Sequence, residues 1–212
     1  MDKYKIISIF LAFALCANLV RLVYVSNQLK AETEHTPAEK MLHLIESRKS
    51  VRSFTAQAVT NEQIDTLLHA AMAAPSGHDL RPWKFVVVQK KELLKTLGKQ
   101  LSNAKMLLDA PAAIIVCGDM SIRNKHNKPS GNWVMDCSAA TQNILLTAEA
   151  MGLGAVWTGA YPYEERMDYV REILNIPEHL IPLNVIPIGY PAGQPQPKNK
   201  YNKACIQFDS FH

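Results

Sequence analysis

Residues 48–52 read Arg-Lys-Ser-Val-Arg and place three cations and a hydroxyl group within five positions. They follow a predicted helix that begins at a capping box, Thr36-Pro37-Ala38-Glu39, whose proline suits the first helical turn. Guanidinium, ammonium and hydroxyl groups donate hydrogen bonds to phosphate oxygens, and charge-assisted bonds are about twice as strong as neutral ones. The stretch therefore indicates an anion-binding site at a helix end. The alternative is a solvated basic helix end, which the helix dipole favours.

Composition limits the class of protein. The chain has 212 residues, of which 48% are apolar and 20% charged, so it can bury one substantial core. The net charge of +4 is small, and no aromatic ladder accompanies the basic clusters, which argues against a nucleic-acid partner. The cysteines and histidines lack metal-ligand spacing, so no metal is implied and the thiols are predicted to be buried and inert. The cysteines are Cys16, Cys117, Cys137 and Cys205.

The N-terminal 25 residues have the pattern of a targeting segment. Lys3 and Lys5 precede an apolar run over residues 6–20 that only Ser8 and Asn18 interrupt. Such a run is short for a membrane-spanning helix. A basic start followed by a short apolar run is typical of a signal peptide or signal anchor, and we predict one over residues 1–25. A helix packed on the following domain is the alternative.

The rest of the chain is interpreted as a linker and one domain. Residues 26–36 are polar and form the linker, and residues 37–212 form the domain. We predict that this domain is exported and is either released or tethered to the membrane through residues 6–25. Translation from Met41 would instead give a cytoplasmic protein.

Helices and strands alternate without regular βαβ spacing, which predicts an α+β fold with a central mixed sheet flanked by helices. A second capping box at residues 60–63 begins a helix that stops at Pro75. Residues 133–151 predict a long helix that is buried nearly all round. Residues 119–132 predict a long polar loop, which is usually functional or mobile. Apolar runs predict strands at residues 83–88, 112–117, 155–159 and 183–190.

Four segments, in order, resemble the nitroreductase family over about residues 40–208. They are Ser-Arg-Lys-Ser-Val-Arg at 47–52, Ala-Pro-Ser through Pro-Trp at 74–83, Asp-Cys-Ser-Ala-Ala-Thr-Gln-Asn at 136–143 continuing to 152–157, and Gly-Tyr-Pro at 189–191 with Pro-Lys-Asn-Lys at 197–200. The resemblance implies a dimeric nitroreductase-like fold that binds flavin mononucleotide (FMN).

The same resemblance implies the activity. Family members use NADH or NADPH as electron donor, which passes a hydride to the flavin, and they reduce nitroaromatics, quinones or related small acceptors in ping-pong turnover. The alternatives are a flavin-dependent dehalogenase, dehydrogenase or flavin-destroying relative on the same scaffold, and a membrane-tethered flavin-binding protein without NAD(P)H turnover. No catalytic acid or base is implied, because the cofactor carries the chemistry.

The resemblance also implies a set of flavin-binding residues. Arg52 corresponds to a cation near the pyrimidine edge of the ring, where it would support the reduced, negatively charged flavin. The expected phosphate and ribityl ligands are Arg48, Lys49, Ser50, Lys198 and Lys200. The expected backbone contacts to the ring are Pro75, Ser76 and Gly77 from the second subunit, and Trp157, Thr158 and Gly159.

Two residues depart from the family pattern. Asp79 and Arg81 stand where asparagine and glutamine are common. An ionised aspartate only accepts hydrogen bonds, so Asp79 could accept a ring N–H, pair with Arg81 or bind nothing. Substrate selectivity is expected in the loop at 119–132 and near Tyr161.

Overall fold

The structure is a computed structural model that describes Leu15, residues 18–22 and residues 35–210. The chain divides into two compact units, Met1–His43 and Leu44–His212. Most of the predicted signal segment lies outside the described residues, as does Cys16, so that interpretation stays a prediction. Within the described part of the chain, no helix has the length and apolar character that crossing a membrane requires.

Both predicted capping boxes are confirmed. Helix α1 is Pro37–Ser47; the Thr36 backbone N–H donates to Glu39 Oε2 at 2.7 Å, and the Glu39 N–H donates to Thr36 Oγ1 at 3.2 Å. Helix α2 is Asn61–Met72, and Thr60 and Gln63 make the same reciprocal pair of bonds at 3.0 and 3.2 Å. Each box satisfies backbone donors that a helix start leaves unpaired.

Five strands form one sheet. They are β1 (Trp83–Val88), β2 (Ala112–Asp119), β3 (Gly154–Ala155), β4 (Thr158–Gly159) and β5 (Leu180–Gly189). The order is β1-β2-β5-β3, and β4 also pairs with β5. Every ladder is antiparallel, and the one parallel contact among the described residues is the bridge between Ser50 and Ala155. The predicted α+β class is confirmed, with the sheet mixed only through that bridge.

Helices cover both faces of the sheet. The remaining helices are α3 (Lys91–Gln100), α4 (Trp133–Ala150) and α5 (Glu164–Leu174). Alternate β2 side chains point to opposite faces, so Ile114 packs with α2 and α4 whereas Ile115 packs with α3 and α5. Strand β2 is buried along its whole length. This rigid centre fixes the segments that carry the candidate site residues.

Three expectations need correction. The strand predicted at 155–159 is split into β3 and β4, with Trp157 between them. Helix α4 is not buried nearly all round, because Met135 is 63% exposed and the fully buried positions lie on one side. Cys205 is exposed, whereas Cys117 and Cys137 are buried, and burial raises the pKa of each of those two thiols to about 12.

Candidate functional site

A groove of about 930 Å³ brings together cations from distant parts of the sequence. Arg48 follows α1, and Lys198 and Lys200 come from the C-terminal segment. None of the three forms an ion pair with another described residue. The other lining residues are Ile45, Glu46, Gln142, Pro197, Asn199 and Tyr201. Three unpaired cations against one carboxylate make this groove suitable for a phosphate group.

Lys49 lies next to Arg48 but points elsewhere. Its ammonium forms an ion pair with Glu149 near the end of α4, and it also donates to the Ser47 carbonyl at 3.5 Å. Both side chains of the pair are largely buried. Lys49 is therefore engaged in holding the basic stretch against α4, and its role as a phosphate ligand stays a prediction.

The middle of the basic stretch, Ser50 and Val51, pairs with strand β3 of the sheet. Ser50 bridges Ala155, and the Val51 N–H donates to the Ala155 carbonyl at 3.0 Å. Val51 is 2% exposed, and a Cβ at Gly154 would lie 2.6 Å from its Cβ, so glycine is required there for the close approach. Arg52 follows directly; its side chain is exposed and forms no ion pair within the described part of the chain.

A buried carboxylate holds the turn that contains Ser76 and Gly77. Asp136, in the first turn of α4, is 5% exposed. It accepts hydrogen bonds from the Ser76 hydroxyl at 2.9 Å and from the Gly77 N–H at 3.0 Å. The Ser76 oxygen in turn accepts the Arg81 N–H at 2.8 Å. The Ser76 hydroxyl and the Gly77 N–H are thus both used inside the protein, where they fix the conformation of the turn.

The same turn contains three residues in the left-handed region. His78, Asp79 and Arg81 have φ of 55°, 55° and 50°. Residues other than glycine adopt this conformation at a cost, so the turn depends on its hydrogen bonds. The Arg81 guanidinium donates two hydrogen bonds to the Asp79 carboxylate, from Nε at 2.6 Å and from a terminal nitrogen at 2.8 Å. These bonds lower the pKa of Asp79. Asp79 therefore pairs with Arg81 within the chain, and a contact with the ring stays a prediction.

Both ends of the loop at 119–132 attach to this turn. At one end, the Asp119 N–H donates to the Pro82 carbonyl at 2.6 Å. At the other, Asn132 lies so close to Gly77 that a Cβ on the glycine would collide with its amide. Burial opposes ionisation of Asp119, but hydrogen bonds from Ser121 and the charge of Lys84 prevail and lower its pKa. The turn and the base of the loop therefore form one packed unit.

The segment at 157–159 is anchored to β5 and α5. The Thr158 hydroxyl is buried and donates to the Val185 carbonyl at 2.6 Å. The Gly159 carbonyl accepts from Asn103 at 3.1 Å and from Arg166 at 3.3 Å. Trp157 stays 37% exposed between the two short strands. The Thr158 side chain is thus committed to structure, and Trp157 is the exposed member of the three.

The nitroreductase family model matches residues 45–104 and 96–190, more than half of the chain. This chain belongs to the nitroreductase family. A protein from Methanothermobacter thermautotrophicus, provisionally assigned as an NADH dehydrogenase/NAD(P)H nitroreductase, is 42% identical over 196 residues, which are 91% of this chain and 100% of that protein.

Solved structures of the nitroreductase family agree with this membership. A Bacteroides thetaiotaomicron protein with the same provisional assignment is 52% identical with a TM-score of 0.76, covering 80% of this chain and 97% of that one. An FMN-dependent nitroreductase from Clostridium difficile R20291 is 28% identical with a TM-score of 0.73, covering 80% and 99%.

The site residues that the sequence did not single out are the partners of the predicted ones. Asp136, Glu149 and Gln142 all lie on α4, and each faces a segment that is distant in sequence. Asp136 was visible as an acid in the first turn of a predicted helix, a position that favours negative charge. No local pattern in the sequence predicts its contact with Ser76, which is 60 residues away.

Proposed function

We propose that this protein is an FMN-dependent oxidoreductase that takes electrons from NADH or NADPH and reduces nitroaromatics, quinones or related small acceptors by ping-pong turnover. The observation that carries the proposal is the convergence of Arg48, Lys198 and Lys200 on one groove. Membership of the nitroreductase family and the names of its relatives support the use of FMN and NAD(P)H.

The residues present fit FMN better than a flavin dinucleotide. The groove concentrates its cations at one place, as a single terminal phosphate requires, and the chain has no Gly-x-Gly-x-x-Gly turn for a pyrophosphate. Arg48, Lys198 and Lys200 would hold the phosphate. Bound FMN supplies two-electron hydride chemistry, and the chain contributes binding, orientation and electrostatics.

We further propose that the protein is a homodimer in which the Ser76–Gly77 turn of one subunit covers the flavin of the other. A single chain leaves large apolar side chains exposed, among them Met135 at 63% and Trp157 at 37%. Exposed apolar area of this kind is typical of an obligate two-fold interface.

The spectrum of the purified protein tests the activity. We expect a yellow protein whose flavin absorption bleaches on anaerobic addition of NADH or NADPH, because the donor reduces the flavin. Addition of a nitroaromatic or a quinone should then restore the absorption. A flavin that stays oxidised with both donors would favour the binding protein without NAD(P)H turnover.

Arg52 is proposed to lie at the pyrimidine edge of the ring, where its charge stabilises the negative charge gained on reduction. Arg52→Gln is therefore expected to lower the reduction potential of the bound flavin by about 30 mV, or roughly 1.4 kcal/mol for a two-electron couple. Arg52→Lys keeps the charge and is the matched control. An unchanged potential in Arg52→Gln, with flavin still bound, would place Arg52 away from the ring.

A further inference from the structure

The loop between β2 and α4 contains a short hairpin that is rich in positive charge. Residues 120–135 include no aspartate or glutamate. We define the basic hairpin as residues 122–129; its basic residues are Arg123, Lys125, His126 and Lys128. All four are exposed, and none is ion-paired with another described residue. Unpaired cations on a stretch of chain without acidic residues create a positive potential that attracts anions.

The basic hairpin has a defined conformation. The Asn124 side-chain oxygen accepts the N–H groups of His126 at 2.9 Å and Lys128 at 3.1 Å. The Asn124 N–H donates to the Lys128 carbonyl at 2.8 Å, and Arg123 bridges Pro129 in antiparallel fashion. The cations are therefore presented from a closed turn, and less conformational entropy is lost when they bind a ligand.

The position of the hairpin connects it to the proposed flavin site. Its two flanks are the attachments already described, Asp119 to Pro82 and Asn132 to Gly77. The hairpin thus extends from the turn that is proposed to cover the flavin ring. In the proposed dimer that ring belongs to the flavin of the other subunit, so the hairpin would serve the donor that reduces the partner's flavin.

We propose that the basic hairpin binds the 2′-phosphate of NADPH and gives the enzyme a preference for NADPH over NADH. The inference rests on the proposed function. The two donors differ only in that phosphate, which carries a charge of about −1.5 to −2 near neutral pH. Guanidinium and ammonium groups bind such phosphates through charge-assisted hydrogen bonds. The cations of the flavin groove are separate, since Arg48, Lys198 and Lys200 belong to other segments.

The test compares both donors in the flavin-loaded protein and in the triple variant Arg123→Gln, Lys125→Gln, Lys128→Gln. We expect the original chain to show a lower KM for NADPH than for NADH. In the variant, the KM for NADPH should rise by at least about tenfold, equivalent to about 1.4 kcal/mol. The KM for NADH, kcat and flavin content should change little. The matched control is Lys90→Gln, Lys91→Gln, Lys95→Gln, which removes the same charge beside α3 and should leave both KM values unchanged.

A direct binding measurement separates failure of the hairpin proposal from failure of the proposed function. Calorimetric titration with 2′,5′-ADP, which carries the 2′-phosphate, should show binding that the triple variant loses; 5′-AMP should bind weakly to both. Equal KM values for the two donors in the original chain, or 2′,5′-ADP binding that survives in the triple variant, would overturn the hairpin proposal. If neither donor reduces the flavin, the proposed function fails, and the 2′,5′-ADP titration still decides whether the hairpin binds this phosphate.

Discussion

Arg48→Ala combined with Lys200→Ala is expected to release FMN while the protein stays folded. Both cations line the same groove although they come from opposite ends of the domain, and neither has a competing ion pair among the described residues. Hydrogen bonds to charged groups contribute about 1.5–3 kcal/mol each, so loss of two should weaken binding roughly 100-fold or more. Flavin content after gel filtration and the Kd from fluorescence titration measure the effect.

The matched control for this double variant is Lys91→Ala with Lys95→Ala. These two lysines are exposed on α3 and lie outside the flavin groove, so flavin content should be unchanged. The thermal midpoint of the Arg48/Lys200 variant should be compared with FMN removed from all samples, because bound ligand raises the midpoint by itself. Full flavin occupancy in the Arg48/Lys200 variant would refute the phosphate site.

Asp136→Ala is expected to have the largest effect on stability. The carboxylate is 5% exposed and accepts two hydrogen bonds, from the Ser76 hydroxyl and the Gly77 N–H. Removing it leaves two partly buried donors without this partner, and an unpaired polar group costs about 1–3 kcal/mol when it is buried. We therefore expect the free energy of unfolding to fall by about 3 kcal/mol. Urea denaturation of the FMN-free protein measures this change, and flavin titration measures the accompanying loss of affinity as the turn relaxes.

Two milder variants remove parts of the same contact, and their stabilities should rank accordingly. Asp136→Asn keeps an acceptor for the Gly77 N–H and should cost less than Asp136→Ala. Ser76→Ala removes the hydroxyl that also accepts the Arg81 N–H, and it should fall between the other two. Equal stability of all three variants and the original chain would show that Asp136 does not hold the turn.

The predictable part of this protein is the part that local sequence controls. Thr60 and Gln63 lie within one helical turn of each other, so their capping box could be predicted from spacing alone. Strand β1 was predicted over the residues that it occupies, because an apolar, β-branched run next to Trp83 admits few other structures. The convergence of Arg48 with Lys200 came from the family resemblance, since nothing local connects them.

The missed part consists of contacts between distant residues. The phosphate-binding role that the resemblance implies for Lys49 stays a prediction, and the structure adds an ion pair with Glu149, 100 residues away, that no local pattern indicates. Position in a basic stretch does not decide which cation is free, because that depends on what packs beside each one. The split of the strand at 155–159 has the same origin, since it reflects pairing with β5 at two separate places.

The double attachment of the loop at 119–132 has a consequence for how such enzymes diversify. With Asp119 fixed to Pro82 and Asn132 fixed against Gly77, the stretch between them can be lengthened, shortened or recharged while its two ends stay in place. Surface loops tolerate such changes at small thermodynamic cost. If the hairpin binds the donor's phosphate as proposed, descendants of one ancestral flavoprotein could exchange one electron donor for another by changing this loop alone, without changing the segments that hold its ends.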